Sequence, residues 1–217
     1  MKNDLFSIGP FTVHGYGLMI AIGVLSAYYM VEYRAKKKQM DWEKVFPLTV
    51  WSVLGGFLGS KILYLLTRLP DILANPALLG SSIKDGFVVY GGIIGGILTA
   101  WIYCKCTKWN FWKIFDIAMP AVAMAQGFGR IGCLLAGCCY GIELDPANPI
   151  GIVFHNSAYA PNDVALLPTQ IISSVLDFAN CFVLLALSKK LKTDGQVASC
   201  YPVSYTHLRA HETCADL

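Results

Sequence analysis

The chain has 217 residues, 55% of them hydrophobic and only 14% charged, with a mean hydropathy of +0.52. An average soluble domain carries about 25% charged residues, so a soluble globular domain is excluded. The formal net charge of +3 says little by itself and points to no nucleic-acid partner, which leaves the placement of lysine and arginine to be read along the chain.

About 20 apolar residues cross a bilayer as a helix, and five such runs follow one another. The first covers residues 11–31. A cleaved signal peptide is not expected there, because Lys2 is offset by Asp4 and the run is longer than an h-region. A basic link with Arg34, Lys36, Lys37, Lys38 and Lys44 leads to the second run, 45–67, which holds Lys61 and the pair Gly55 and Gly59. A proline-bearing link over 68–85 precedes the third run, 86–104, where Gly91 and Gly95, and Gly92 and Gly96, repeat the spacing that lets helix backbones approach closely. Lys105, Lys108 and Lys113 separate it from the fourth run, 117–142. The 140–166 link that follows has no lysine or arginine, and the fifth run, 164–188, ends on Lys189, Lys190 and Lys192.

The expected fold is therefore an all-α polytopic membrane bundle with about five spans. Basic links stay in the cytoplasm, so the N-terminus and the 140–166 link are expected outside. Residues 1–195 form one transmembrane domain. From Tyr201 the chain turns polar and loses helical periodicity, so 196–217 is expected to be a disordered tail or a foreign ending, and a free tail with His207, His211 and Cys214 offers no preorganised metal site.

Arg130 is the only charge in the fourth run. An arginine at the bilayer centre costs about 2.5–3.5 kcal/mol on insertion scales and normally faces a polar cavity or a fixed partner. Gln126, Arg130, Cys133 and Gly137 recur at i, i+4, i+7 and i+11, along one helix face, while Gly127, Gly129 and Gly132 leave room for a bulky group to reach it. Two readings stay open. Arg130 pairs with Asp177, the one carboxylate of the fifth run, or it grips a lipid phosphate with two parallel hydrogen bonds, with Gln126, Gly129 and Gly132 completing that site. The cysteines in and beside the spans, Cys133, Cys138 and Cys139 among them, read as small hydrophobes rather than as a disulfide scaffold, a redox centre or a metal centre.

Four blocks, "FSIGPFTVHGYGLMIAIG" (6–23), "DGFVVYGGIIGG" (85–96), "GRIGCLLAGCCYG" (129–141) and "LPTQ" (167–170), occur in an order and spacing that resembles the phosphatidylglycerol:prolipoprotein diacylglyceryl transferase family. The resemblance covers about residues 6–195. It implies a multi-pass enzyme of the bacterial inner membrane, needing no cofactor and no metal and acting as a monomer, that moves the diacylglyceryl group of phosphatidylglycerol onto the thiol of a prolipoprotein lipobox cysteine. Arg130 matches the family's signature arginine, His14 and Tyr16 match the His and Tyr of the first block, and Gln170 matches the glutamine of the last. His14, Tyr16, Tyr90 and Arg130 are the catalytic candidates.

The sequence also departs from the pattern the resemblance implies. Tyr90 stands where a His is common, Cys133 and Cys138 where Asn and Glu are, and Leu167, Ile172 and Ser173 where His, Tyr and Glu are. The general base is thus unassigned, and a diverged member that binds anionic phospholipid without transferring it is the alternative. The resemblance also implies two further spans after Gly195, which this sequence does not contain, so little transferase activity is expected of the chain as written.

Overall fold

A computed structural model describes residues 4–8, 11–75, 80, 86–146, 148–155, 157, 159–191 and 193–215, the side chains of 4–13 and 207–215 apart. Strands β1 (Asp4–Ile8) and β2 (Phe11–His14) pair antiparallel and lead into α1 (Gly15–Lys37). A single 3-10 turn, Trp42–Lys44, precedes α2 (Val45–Thr67), then come α3 (Leu69–Ala74), α4 (Val89–Cys106) and α5 (Phe111–Ala136). Strands β3 (Ile152–Val153) and β4 (Ala165–Leu166) form a second small antiparallel pair before α6 (Thr169–Lys190) and α7 (Gln196–Ala215).

Among the described residues five helices are long and apolar enough to cross a membrane: Gly15–Lys37, Trp42–Thr67, Val89–Cys106, Phe111–Ala136 and Thr169–Lys190. The helical membrane bundle expected from composition stands, with its ends shifted: the third helix begins at Val89 rather than at 86, and the fourth stops at Ala136, short of 142, because Gly137 turns left-handed. The first run begins as a strand, since "FTVH" is rich in β-branched and aromatic residues, and its helix starts only at Gly15. The fourth helix starts earlier than expected and takes in Lys113 and Asp116, because Asn110 Oδ1 accepts from the amides of Trp112 (3.0 Å) and Lys113 (3.4 Å) and caps it there. The fifth begins at Thr169, after β4 and Pro168.

The stretch expected to lack helical periodicity forms α7. Its start is held from outside. The Asp116 carboxylate accepts from the amides of Gly195 (2.7 Å) and Ala198 (2.8 Å), satisfying orphan donors of the first turn from a residue 82 positions before Ala198. Nothing in the local sequence of 196–215 announces that cap.

The chain divides into two units, Met1–Arg34 with Phe115–Leu217, and Ala35–Ile114. In the second, α2 and α4 pack through glycines. A Cβ on Gly59 would lie 2.9 Å from Gly95 Cα and closer still to the Gly91 carbonyl, while one on Gly96 would meet only the Ser52 carbonyl at 3.6 Å. Bare backbones therefore touch, which is where packing energy comes from when lipid removes the hydrophobic drive. Lys61, within α2, is held at the start of α4: its Nζ donates to the Gly86 carbonyl (3.1 Å) and lies 4.6 Å from the Phe87 ring centre.

In the first unit, Ala123, Cys181, Leu184 and Val197 form a buried cluster, with Met30 and Tyr201 packed on it. Pro120 sits inside α5 and has no N–H to give the carbonyl of residue 116. That freed carbonyl of Asp116 accepts from Arg34 Nη2 (3.4 Å) at the end of α1. Asp116 thus ties α1, α5 and α7 together, its main chain to one and its carboxylate to the other.

The glycine contact between α2 and α4 generates a paired test. Gly59→Ala drives a methyl into backbone that cannot yield, and overpacking costs about 1–3 kcal/mol, so its unfolding midpoint in detergent falls by several degrees. Gly96→Ala has room and gains helix propensity; its midpoint holds or rises. Equal midpoints for the two variants would refute the close contact.

Candidate functional site

The site grows from the way α5 stops. Gly137 adopts φ +73°, which an L side chain rarely takes, and two amides turn back into the last turn: Gly137 N–H to the Leu134 carbonyl (3.2 Å) and Cys138 N–H to the Cys133 carbonyl (3.1 Å). This is the Schellman arrangement. Cys139 follows, also left-handed at φ +58°. The reversed chain is then stitched to the segment before α6: Gly141 N–H to the Leu167 carbonyl (3.1 Å), Leu167 N–H to the Ile142 carbonyl (2.9 Å) and Leu144 N–H to the Ala165 carbonyl (2.8 Å).

The first residues of α6 clamp the reversal. Thr169 Oγ1 donates to the Cys139 carbonyl and Gln170 Nε2 to the Cys138 carbonyl, both at 2.8 Å. Gln170 is only 1% exposed, and its Oε1 is buried with no hydrogen-bond partner among the described residues.

The start of α1 closes the other side. A Cβ on Gly132 would lie 3.2 Å from Tyr16 Cδ2 and 3.3 Å from Met19 Cβ, and one on Gly15 would lie 3.1 Å from Leu135 Cδ1. Tyr16 therefore lies across Gly132, with its hydroxyl in electrostatic reach of the Cys133, Cys138 and Cys139 thiols. The three sulfurs lie within 4.8 Å of one another. Burial and the adjacent Cys139 push the Cys138 thiol above the ordinary thiol range, so it stays protonated near neutrality. His14 ends β2 opposite Asp4 and is exposed.

Arg130 and Gln126 are half-buried on α5, two turns and three turns before the helix ends. Beside Arg130, Gly129 faces open space: a Cβ there would meet nothing within 4 Å. Gln126 Oε1 accepts from the Tyr201 hydroxyl. Burial pushes that phenol above its ordinary range, which keeps the proton it donates.

The buried face of α6 is polar toward the site. Gln170, Ser173, Ser174, Asp177 and Asn180 are all buried, at i, i+3, i+4, i+7 and i+10, before the same face turns apolar with Cys181 and Leu184. Ser174 Oγ donates to the Gly127 carbonyl (3.0 Å), where a Cβ on Gly127 would lie 2.9 Å from the Phe178 ring. Neither amide atom of Asn180 has a hydrogen-bond partner among the described residues. Buried polar groups in a membrane-crossing helix are costly and mark polar cavities or functional sites.

The structure thus brings Tyr16, Gly132 and Gln170 to the cysteine reversal, and puts Arg130, Gln126 and Gly129 on the same helix just before it. Tyr90 belongs to the other unit, where it is the second residue of α4 and 73% exposed. Two features escape a reading of the sequence: Tyr201, which lies in the stretch set apart as a tail, and the polar face of α6. The latter had a signal, since its polar residues repeat at helical spacing inside an apolar run.

A sequence profile described as prolipoprotein diacylglyceryl transferase matches residues 3–212, reaching into α7. The chain is 44% identical over 206 residues to the phosphatidylglycerol–prolipoprotein diacylglyceryl transferase of Clostridium tetani, a match covering 94% of this chain and 81% of that protein. A second protein so named, from Clostridium perfringens, is 41% identical over 95% of this chain and 80% of its own length. The one from Dehalococcoides mccartyi strain 195 is 31% identical over 94% and 78%.

The clamp on the reversal is open to test. Gln170→Met keeps the bulk but removes the donor to Cys138, and losing a buried hydrogen bond costs about 1–3 kcal/mol. Amide exchange at Gly141 and Leu144 should accelerate in this variant, while exchange in the α2–α4 pair stays unchanged. Unaltered exchange at Gly141 would mean that Gln170 does not hold the loop.

Proposed function

From the premise that the chain belongs to the prolipoprotein diacylglyceryl transferase family, we propose that it transfers the diacylglyceryl group of phosphatidylglycerol to the cysteine thiol of a prolipoprotein. The observation that carries this reading for the site is Arg130, a guanidinium within a membrane-crossing helix beside a glycine that faces open space. A lipid phosphate suits both features, since the planar guanidinium donates two parallel hydrogen bonds to phosphate oxygens and the missing side chain at Gly129 leaves room for it. Gln126 and Gly132 border the same stretch of α5, and Gln170 supports its end.

The reaction forms a bond between the lipobox sulfur and C3 of the glyceryl group and breaks the bond from C3 to the phosphate oxygen. The electron pair leaves with glycerol 1-phosphate. Arg130 stabilises the charge that develops on that phosphate, in a region where water is scarce and a fixed charge acts strongly. The thiol must give up its proton, for the thiolate is the nucleophile and a free cysteine titrates near 8.5. His14, an imidazole at the mouth of α1, is our assignment for accepting it. Tyr16 serves as a hydrogen-bond donor, since a phenol is a poor base at neutral pH.

The chain is a multi-pass membrane protein. We place its N-terminus and the 140–166 link on the outer side, where an exported substrate is met, supported by the lysines and arginines gathered in the links after the first, third and fifth spans. It acts as a monomer, a reading supported by the assembly of Tyr16, Arg130 and Gln170 from helices of one chain.

Two measurements check these assignments. In phosphatidylglycerol vesicles with a lipobox peptide, scored by the peptide's mass gain, Arg130→Lys loses about 10²-fold or more in rate because it keeps charge without the two-pronged geometry, and Arg130→Gln loses more. Transfer by Arg130→Lys at the parent rate would overturn the phosphate role and favour pairing with Asp177. For orientation, alkaline phosphatase fused near Asn148 is active and fused near Lys37 is silent; the reverse pattern inverts the topology.

A further inference from the structure

We propose that Cys133, Cys138 and Cys139 form a binding site for a thiophilic metal ion, Zn²⁺ or Cu⁺, held by three thiolates at the end of α5. The inference is independent of the transfer reaction.

Their geometry is that of ligands rather than of packing groups. The sulfurs lie within 4.8 Å of one another, and those of Cys138 and Cys139 are 3.9 Å apart. Three thiolates at about 2.3 Å from one ion stand roughly 4 Å from each other, so small side-chain rotations suffice to close the set. Packing cysteines look different in the same chain: Cys104 and Cys181 are 1% and 3% exposed, inside apolar clusters. By contrast Cys133 and Cys138 are only partly buried, Cys139 is exposed, and all three lie within electrostatic reach of the Tyr16 hydroxyl.

The backbone preorganises the set. Cys133 and Cys138 are the two residues joined by the long hydrogen bond of the Schellman turn, and the left-handed Cys139 turns its sulfur back toward them. Thr169 and Gln170 hold the carbonyls of Cys139 and Cys138 in place. Ligands fixed by packing and outer hydrogen bonds are what a metal site requires. Soft thiolates select zinc and monovalent copper over the harder cations. No fourth His, Cys, Asp or Glu joins the group among the described residues, which suits three-coordinate copper or a zinc with water at its open position. Each thiol releases its proton to solvent as its bond to the metal forms, so affinity falls as pH is lowered.

The test uses the full chain in detergent, reduced and then desalted without oxygen. One arm titrates Co²⁺ as a probe for zinc and reads thiolate-to-cobalt charge-transfer absorbance, then its loss on adding Zn²⁺. The other supplies Cu⁺ in competition with a copper chelator. One ion per chain in either arm, weakened by more than about tenfold in each of Cys133→Ser, Cys138→Ser and Cys139→Ser but not in Cys106→Ser, supports the site and names the ion. Because Cys139 is exposed, its serine variant tests the site without burdening the fold, which helical circular dichroism checks for all three. Absence of thiolate absorbance and of copper capture overturns the proposal, as does binding that survives in Cys139→Ser. A disulfide among the three in anaerobically purified protein, seen as a non-reduced peptide lighter by two hydrogens, overturns it as well.

Discussion

At the end of α5 a single residue, Gly137, takes a backbone conformation that closes a Schellman turn and sends the chain back on itself. Had the helix continued, Cys138 and Cys139 would have extended along its axis, and their carbonyls would have bonded within the helix. Instead those carbonyls face α6, where Thr169 and Gln170 meet them. The strand-like stitching of Gly141, Ile142 and Leu144 to the segment before α6 depends on the same reversal. So does the seating of Tyr16, because Gly132 and Leu135, one turn earlier, give the start of α1 its contact surface. The positions of Arg130 and the thiols relative to α1 and α6 follow from where α5 stops.

Inside a bilayer every polar group needs a partner within the protein or a polar cavity. The α6 face answers this in two halves. Near the reversal it is polar from Gln170 to Asn180, and beyond it Cys181 and Leu184 join the apolar cluster with Ala123 and Val197. The polar half accompanies Arg130, so the charge in the second half of α5 lies in the part of the unit where water-seeking groups gather. The apolar half carries the packing. The division lets one helix provide rigidity at one end and an environment for ions at the other.

The five spans were legible because hydropathy over a helix-length window is local information, and bilayer thickness converts it directly into structure. Their ends were less so. The cap on α5 from Asn110 and the cap on α7 from Asp116 are single hydrogen-bonding choices, the second made by a residue far away in sequence. Around the site, Arg130 announced itself by its charge, and Tyr16 and Gln170 were marked by a resemblance rather than by any property of their own windows. The convergence of the three thiols was not legible: Cys133 and Cys138 read as helix positions five apart until Gly137 ends the helix between them. Tyr201 was hidden for a similar reason, since its partner Gln126 lies 75 positions earlier.

Asp116 has a consequence for how the chain is made. Its carbonyl is released by Pro120 and met by Arg34, which has long been synthesised by then, but its carboxylate waits for the amides of Gly195 and Ala198, 79 and 82 residues later. At ribosomal rates of about 5–20 residues per second, that is a delay of roughly 4–16 s in which the carboxylate lacks those two amide donors and has the Arg34 guanidinium within electrostatic reach. The order of synthesis thus makes the Arg34 contact to Asp116 available first and the cap on the start of α7 available last, as the clasp.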